Sequence, residues 1–269
     1  MKVRELTDWL EGEYPGNMAE DWDNVGLLVG DDGQEVHHVF LALDLTEAVL
    51  EEAVKAQADM IITHHPMIFR GMKKINNHDF TGRKVLSLIR HNISYFAMHT
   101  NFDAAPGCMA DLAAERLGLT ECVPLEAMGE MEGSQGLVPY GIGKTGYLRE
   151  PVTVRCLARK VKESFGLPFA VVYGQELLDT EINKVSVCPG AGGSEIEGAI
   201  ASGSQVLVTG DISHHQGIDA AARNMAVIDG GHYGLEHIFI PYMADYLAAR
   251  LGDGVNVIQA PPSWPTVII

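Results

Sequence analysis

Three short clusters carry side chains suited to binding a divalent transition metal. They are the adjacent histidines of Thr63-His64-His65-Pro66, the aspartate that ends His99-Thr100-Asn101-Phe102-Asp103, and the pair His232 and Glu236 in Gly231-His232-Tyr233-Gly234-Leu235-Glu236. Imidazole and carboxylate are the ligands such ions use. Each cluster also has a plainer reading. The histidine pair reads equally as one buried ring and one exposed, Asp103 as the cap of a following helix, and His232 with Glu236 as a surface pair one helical turn apart. Taken together, the five exceed what one tetrahedral ion needs, and a carboxylate can bridge two ions. A two-metal site, with Asp103 as the bridge, is the joint reading.

Each cluster follows an apolar run. Met60–Thr63 precedes the histidine pair, Tyr95–His99 runs into Asp103, and Ala226–Asp229 precedes Gly230-Gly231-His232. In parallel α/β sheets, ligands collect outside the carboxyl ends of strands, where loops and helix N-termini face one crevice. Adjacent histidines point to opposite faces of a continuing strand, but Pro66 stops the strand and lets the chain turn.

Strand-like runs alternate with amphipathic stretches along the chain, the pattern of an α/β protein with mainly parallel strands. Helices are expected over 4–12, Thr46–Gln57, Gly82–His91, Met109–Gly118, Arg155–Phe165, Ser194–Ala201, Gln216–Asn224 and Leu235–Leu251. Further strands are expected at Val25–Gly30, Val39–Asp44, Ala170–Tyr173, Val185–Cys188, Val206–Thr209 and Val255–Ile258. The second half replays the first. An offset of 146 residues carries Val39 to Val185 and Thr63 to Thr209 without a gap, and MADLAAERLG (109–118) matches MADYLAARLG (243–252) at seven of ten positions. The pattern indicates an internal duplication. One repeat spans 1–120, a Gly-, Pro- and Met-containing connector spans 121–143, and a second repeat spans 144–269.

Composition limits the alternatives. The 269 residues hold 36 acidic and 19 basic side chains, a net charge of −17, which disfavours coating nucleic acid or an anionic membrane. No apolar run is long enough to span a membrane, and the first residues lack a secretory pattern. Four separated cysteines without C-x-x-C suit a reducing compartment, so the cytoplasm is expected. Arg70, Lys73 and Lys74, just beyond the histidine pair, supply local positive charge for a phosphate-bearing substrate, or form an ordinary solvated loop.

DNVGLLVG (23–30), ITHHPMIF (62–69), HTNFDAAPG (99–107), TGDISHH (209–215) and GHYGLE (231–236) occur in this order. They resemble the signature blocks of the Nif-three-like family, whose members are often named GTP cyclohydrolase 1 type 2 homologues. The resemblance covers nearly the whole chain, in the short form without a large inserted domain. It implies two intertwined, duplicated α/β repeats with mixed, mostly parallel sheets. It also implies a toroidal homohexamer and a dinuclear metal site whose ligands fall on His64, His65, Asp103, His232 and Glu236. The two divalent ions would be zinc, iron, manganese or nickel, because mixed nitrogen and oxygen ligands accept all four. The implied activity is hydrolysis, with a metal-activated water attacking the guanine ring of GTP. Phosphoester hydrolysis would use the same site, and a metal-binding scaffold or delivery protein with little catalysis is the alternative of another class. Cys108 departs from the pattern, standing where many relatives have glycine. It reads as a thiol near the metals or, more simply, as a small buried residue in a first helical turn. His99, Asp211, His214 and His215 are held as supporting or substrate-contacting groups.

Overall fold

The computed structural model describes residues 1–133, 136–267 and 269. In chain order the first elements are α1 (Val3–Glu13), β1 (Gly26–Val29), β2 (His38–Ala42), α2 (Glu47–Lys55), β3 (Met60–Thr63), α3 (Phe80–Arg90), β4 (Ser94–Ala97), α4 (Thr100–Ala104) and α5 (Met109–Leu117). The long strands β5 (Leu119–Gly133) and β6 (Gly136–Thr153) follow, then α6 (Val154–Ser164), β7 (Val171–Tyr173), β8 (Glu181–Ala191), α7 (Ile196–Ala201) and β9 (Val206–Gly210). The chain closes with α8 (His214–Ala222), β10 (Ala226–Asp229), α9 (His232–Glu236), α10 (Phe239–Leu251) and β11 (Asn256–Gln259).

The chain divides into two compact units. The first comprises Met1–Phe102 and Phe239–Pro262. Its five-stranded sheet has the order β1-β4-β3-β2-β11, with β11, β2, β3 and β4 parallel and β1 antiparallel to β4. The central strands are apolar at successive positions, because helices cover both faces. Phe40, Ile61 and Tyr95 pack with Leu50 and Ala53 of α2 and Leu88 of α3. Thr46 and Asp79 cap α2 and α3 by accepting from backbone amides three residues on.

The second unit comprises Asp103–Ile238 and Ser263–Ile269. Its six-stranded sheet runs β5-β6-β8-β9-β10-β7, with β8, β9 and β10 parallel and the other three strands antiparallel to their neighbours. Ile196 and Ala199 of α7 and Ala220 of α8 pack on Leu207 and Val227. Among the described residues, no helix is long and apolar enough to cross a membrane.

The architecture is α/β with two mixed sheets, and the duplication is visible in strand register. Val39 pairs with Met60 in the first sheet and Val185 with Val206 in the second, both residues displaced by 146. Met60 pairs with Ser94 and Val206 with Ala226, so the next strand is displaced by 132.

Three features go beyond the sequence expectation. Each compact unit draws on both repeats, 1–120 and 144–269: β11, near the chain end, pairs with β2, while α5, in the first half, packs on β6 and β8. Residues 121–143, the connector between the repeats, lie in the β5–β6 hairpin wherever they are described. Much of this hairpin is exposed, so no single buried face imposes alternation on its sequence. The helix expected over Leu235–Leu251 is divided into α9 and α10 at His237 and Ile238. Pro241 has no amide to give the His237 carbonyl, and its ring crowds that carbonyl.

Candidate metal centre

In the first unit, β3 delivers His64 and His65 to a turn pinned from β4. The hydroxyls of Thr63 and Tyr95 lie 2.7 Å apart, and both donate to the His65 carbonyl, at 2.8 and 2.9 Å. Burial pushes the Tyr95 phenol up to about 12, so it remains protonated.

The histidines that follow β3 and β4 are each held through Nδ1. His64 Nδ1 lies 2.8 Å from the Met98 carbonyl, His65 Nδ1 2.8 Å from Asp44 Oδ1, and His99 Nδ1 2.9 Å from Asp23 Oδ1. A carbonyl or carboxylate can only accept, so the proton sits on Nδ1 and the lone pair on Nε2, the form that binds a metal. One ring nitrogen of each of His64, His65 and His99 lies within 4.8 Å of the others. Asp44 and Asp23 therefore orient the rings, a role the sequence reading did not assign them.

Asp23 also accepts from the amide of Thr100 at 3.0 Å and from its hydroxyl at 2.6 Å. Burial pushes the Asp23 carboxyl upward, but the hydrogen bonds from His99 and Thr100 outweigh it and lower the value from 3.8 to about 2. A carboxyl lowered on folding stabilises the fold above its unfolded value and loses that contribution as pH falls through its folded value. Acid titration of Asp23→Asn should therefore show a stability deficit against wild type above pH 3.8 that closes as pH approaches about 2. An equal deficit across that range would show that the charge of Asp23 contributes nothing.

In the second unit, the turn after β10 positions the other cluster. Asp229 accepts from the amides of Gly231 at 2.8 Å and Ile212 at 2.9 Å, closing the turn. Gly231 has φ of +76°, a conformation that favours glycine, and α9 begins at the next residue. His232 Nε2 and Glu236 Oε2 are 3.0 Å apart, and His232 Nδ1 is 2.9 Å from Asp211 Oδ2. Asp211 is thus the orienting group for His232. Glu236 is only 3% exposed.

Several carboxylates of this unit act on one buried thiol. Burial holds the Cys188 thiol well above its usual range, and the charges of Glu195, Asp103, Glu236 and Glu126 push it further in that direction. Buried carboxylates are costly without compensating positive charge. The donor set of each unit therefore fits a divalent cation. Orienting partners tune metal affinity by about 10–100-fold. Asp44→Asn and Asp211→Asn should each weaken metal binding by about that factor, read by competition with a chromogenic chelator. Unchanged affinity in both would remove the orienting role.

Other expected site residues lie elsewhere or serve simpler purposes. His214 and His215 open α8, exposed, with ring centroids 5.3 Å apart. Cys108 is buried immediately before α5, its Sγ 3.7 Å from the Pro106 carbonyl, in keeping with a small packed residue. Cys188 is a thiol in the field of Asp103 and Glu236, which its lone position in sequence did not signal. Arg70, Lys73 and Lys74 line a cleft of about 440 Å³ with Phe69 and Phe80.

Mixed sheets of this topology, with oriented imidazoles and carboxylates at strand ends, define a class of α/β protein with metal-binding potential. The chain belongs to the family described as Duf34/NIF3 (NGG1p interacting factor 3), whose model matches residues 1–262. It is 34% identical over 257 residues to a Clostridium acetobutylicum protein named GTP cyclohydrolase 1 type 2 homolog, covering 95% of this chain and 93% of that one. It is 33% identical to the Protein NIF3 homolog of Schizosaccharomyces pombe, covering 92% and 88%. Among solved structures, a Bacillus cereus protein related to NIF3 superposes with a TM-score of 0.88 at 25% identity, over 100% of this chain and 99% of that one.

Proposed function

We propose that the protein is a dinuclear metal-dependent hydrolase. His64, His65, Asp103, His232 and Glu236 would hold the two ions. The observation that carries this reading is the repeated anchoring of imidazole Nδ1 by an acceptor, at His64, His65 and His232, which makes Nε2 the nitrogen that would bind an ion. Buried Glu236, set against His232, supplies negative charge where a cation would balance it.

A pair of divalent ions, when bound, supplies Lewis acidity and lowers the pKa of a water. The chain's own groups hold and orient. Asp44 and Asp211 keep the protons of His65 and His232 on Nδ1, and Asp23 does the same for His99, which packs beside His64 and His65 with ring centroids 5.3 and 5.5 Å away. Arg70, Lys73 and Lys74 bind the phosphates of a small-molecule substrate. The names of the curated relatives favour GTP, hydrolysed at the guanine ring, over a simple phosphoester. By family resemblance the working form is a homohexamer in the cytoplasm.

The test is to assay freshly purified protein for metal content, then to incubate the metal-loaded form with GTP and with generic phosphoesters. Two divalent ions per chain and release of formate support the GTP reading. Release of phosphate alone moves the activity to phosphoester hydrolysis. Full occupancy with no turnover, together with rapid metal exchange, would replace catalysis by metal carriage.

A further inference from the structure

Two large aromatic side chains stand in water beside the histidines of the first unit. Trp22 is 55% exposed and Phe69 47%, with ring centroids 5.5 Å apart. Both reach His99, at 5.9 and 6.2 Å between centroids. Exposed aromatic pairs forgo burial that a fold ordinarily supplies, and they mark surfaces that bind something planar or apolar.

This pair is held in place by its neighbours. Asp23, next to Trp22, is tied to His99 and Thr100, and Asn24 Nδ2 donates to the Ile68 carbonyl at 2.5 Å, beside Phe69. Both rings are therefore positioned by anchored backbone without being covered. Phe69 is also a wall of the 440 Å³ cleft that carries Arg70, Lys73 and Lys74. Aromatic platform and positive charge are continuous through this one residue, on a chain whose net charge is −17. Asp79, on the same cleft, accepts from the Gly82 amide as the cap of α3.

We infer that Trp22 and Phe69 form a stacking platform for the planar ring of a nucleoside polyphosphate, whose phosphates lie against Arg70, Lys73 and Lys74. The inference rests on the hydrolase reading for what becomes of the ligand, but it concerns binding alone. Stacking accepts any base, because every base has a π-face, while cationic side chains select the anionic tail. The platform therefore fixes the class of ligand, and the neighbouring histidines fix which end faces the metal ligands.

Binding is measured by calorimetry on the full-length, metal-loaded protein with three probes: GTP, guanosine and inorganic triphosphate. Trp22→Ala should weaken GTP and guanosine by about tenfold or more, the scale of base stacking lost on truncation, and leave triphosphate within about twofold. Trp22→Phe, which keeps a ring, should stay within about threefold of wild type for all probes. Lys73→Ala/Lys74→Ala should show the converse, losing triphosphate and GTP but not guanosine. Metal content, measured on every variant, should not change. Equal guanosine binding by wild type and Trp22→Ala overturns the platform, whatever the turnover. Failure of the wild type to bind either guanosine or triphosphate, as when a second copy covers the pair, also overturns it. Stacking that behaves as expected in a protein without hydrolysis leaves the platform standing and removes only the hydrolase reading.

Discussion

Glu236→Gln is expected to abolish stable metal binding while leaving the fold intact. The substitution keeps volume and one carbonyl oxygen, so packing around this 3% exposed side chain is preserved. What it removes is the negative charge beside His232 Nε2, the atom 3.0 Å from Glu236 Oε2. Removal of an outer partner already costs about 10–100-fold in affinity, so loss of a ligand should cost at least about 100-fold. Elemental analysis after dialysis against a competing chelator should find wild type loaded and Glu236→Gln empty. A ligand that binds only the native state raises the melting temperature by mass action. The metal-dependent rise should therefore be present in wild type and lost in the variant. Retention of metal by Glu236→Gln would exclude Glu236 as a ligand and with it the five-ligand proposal.

Gly190→Ala should reach the same carboxylate from the opposite side. A Cβ at this position would stand 2.3 Å from Glu236 Oε1, far inside van der Waals contact, and 3.7 Å from His232 Nε2. Gly190 also has φ of +81°, where an L-residue is strained by about 1–3 kcal/mol. Gly203 separates the two effects, because its φ is +80° and a Cβ there meets nothing within 4 Å. Gly203→Ala should lose stability from backbone strain alone and bind metal normally. Gly190→Ala should lose at least as much stability and also bind metal about tenfold or more weakly, because Glu236 must move to make room. Thermal melts with and without added divalent metal read both quantities. Equal metal binding by the two variants would show that the position of Glu236 does not matter to the ion.

The offset of 146 residues gives these positions a common origin. It carries Asp44 to Gly190 and His65 to Asp211. Asp44 orients His65 in the first unit, whereas Gly190 leaves room for Glu236 and Asp211 orients His232 in the second. The duplicated strand ends thus occupy matching places with exchanged chemistry.

Local patterns carried much of this in the sequence. The alternation of apolar runs with helical periodicity determined the α/β class and the parallel core strands, because strands covered on both faces must be apolar throughout. The offset determined that the chain is built twice, and the registers of β2 with β3 and of β8 with β9 reproduce it. The spacing of His232 and Glu236 determined their contact, since residues four apart on a helix share a face. Tertiary structure alone decided that β11 completes the first sheet, that residues from 121 to 143 lie in a hairpin, and that Asp44 and Asp23 orient His65 and His99. The reason is physical. Periodicity records which face of an element is buried, but strand partnership and a hydrogen bond between side chains 21 or 76 residues apart depend on where the chain returns in space, and neighbouring residues carry no mark of it.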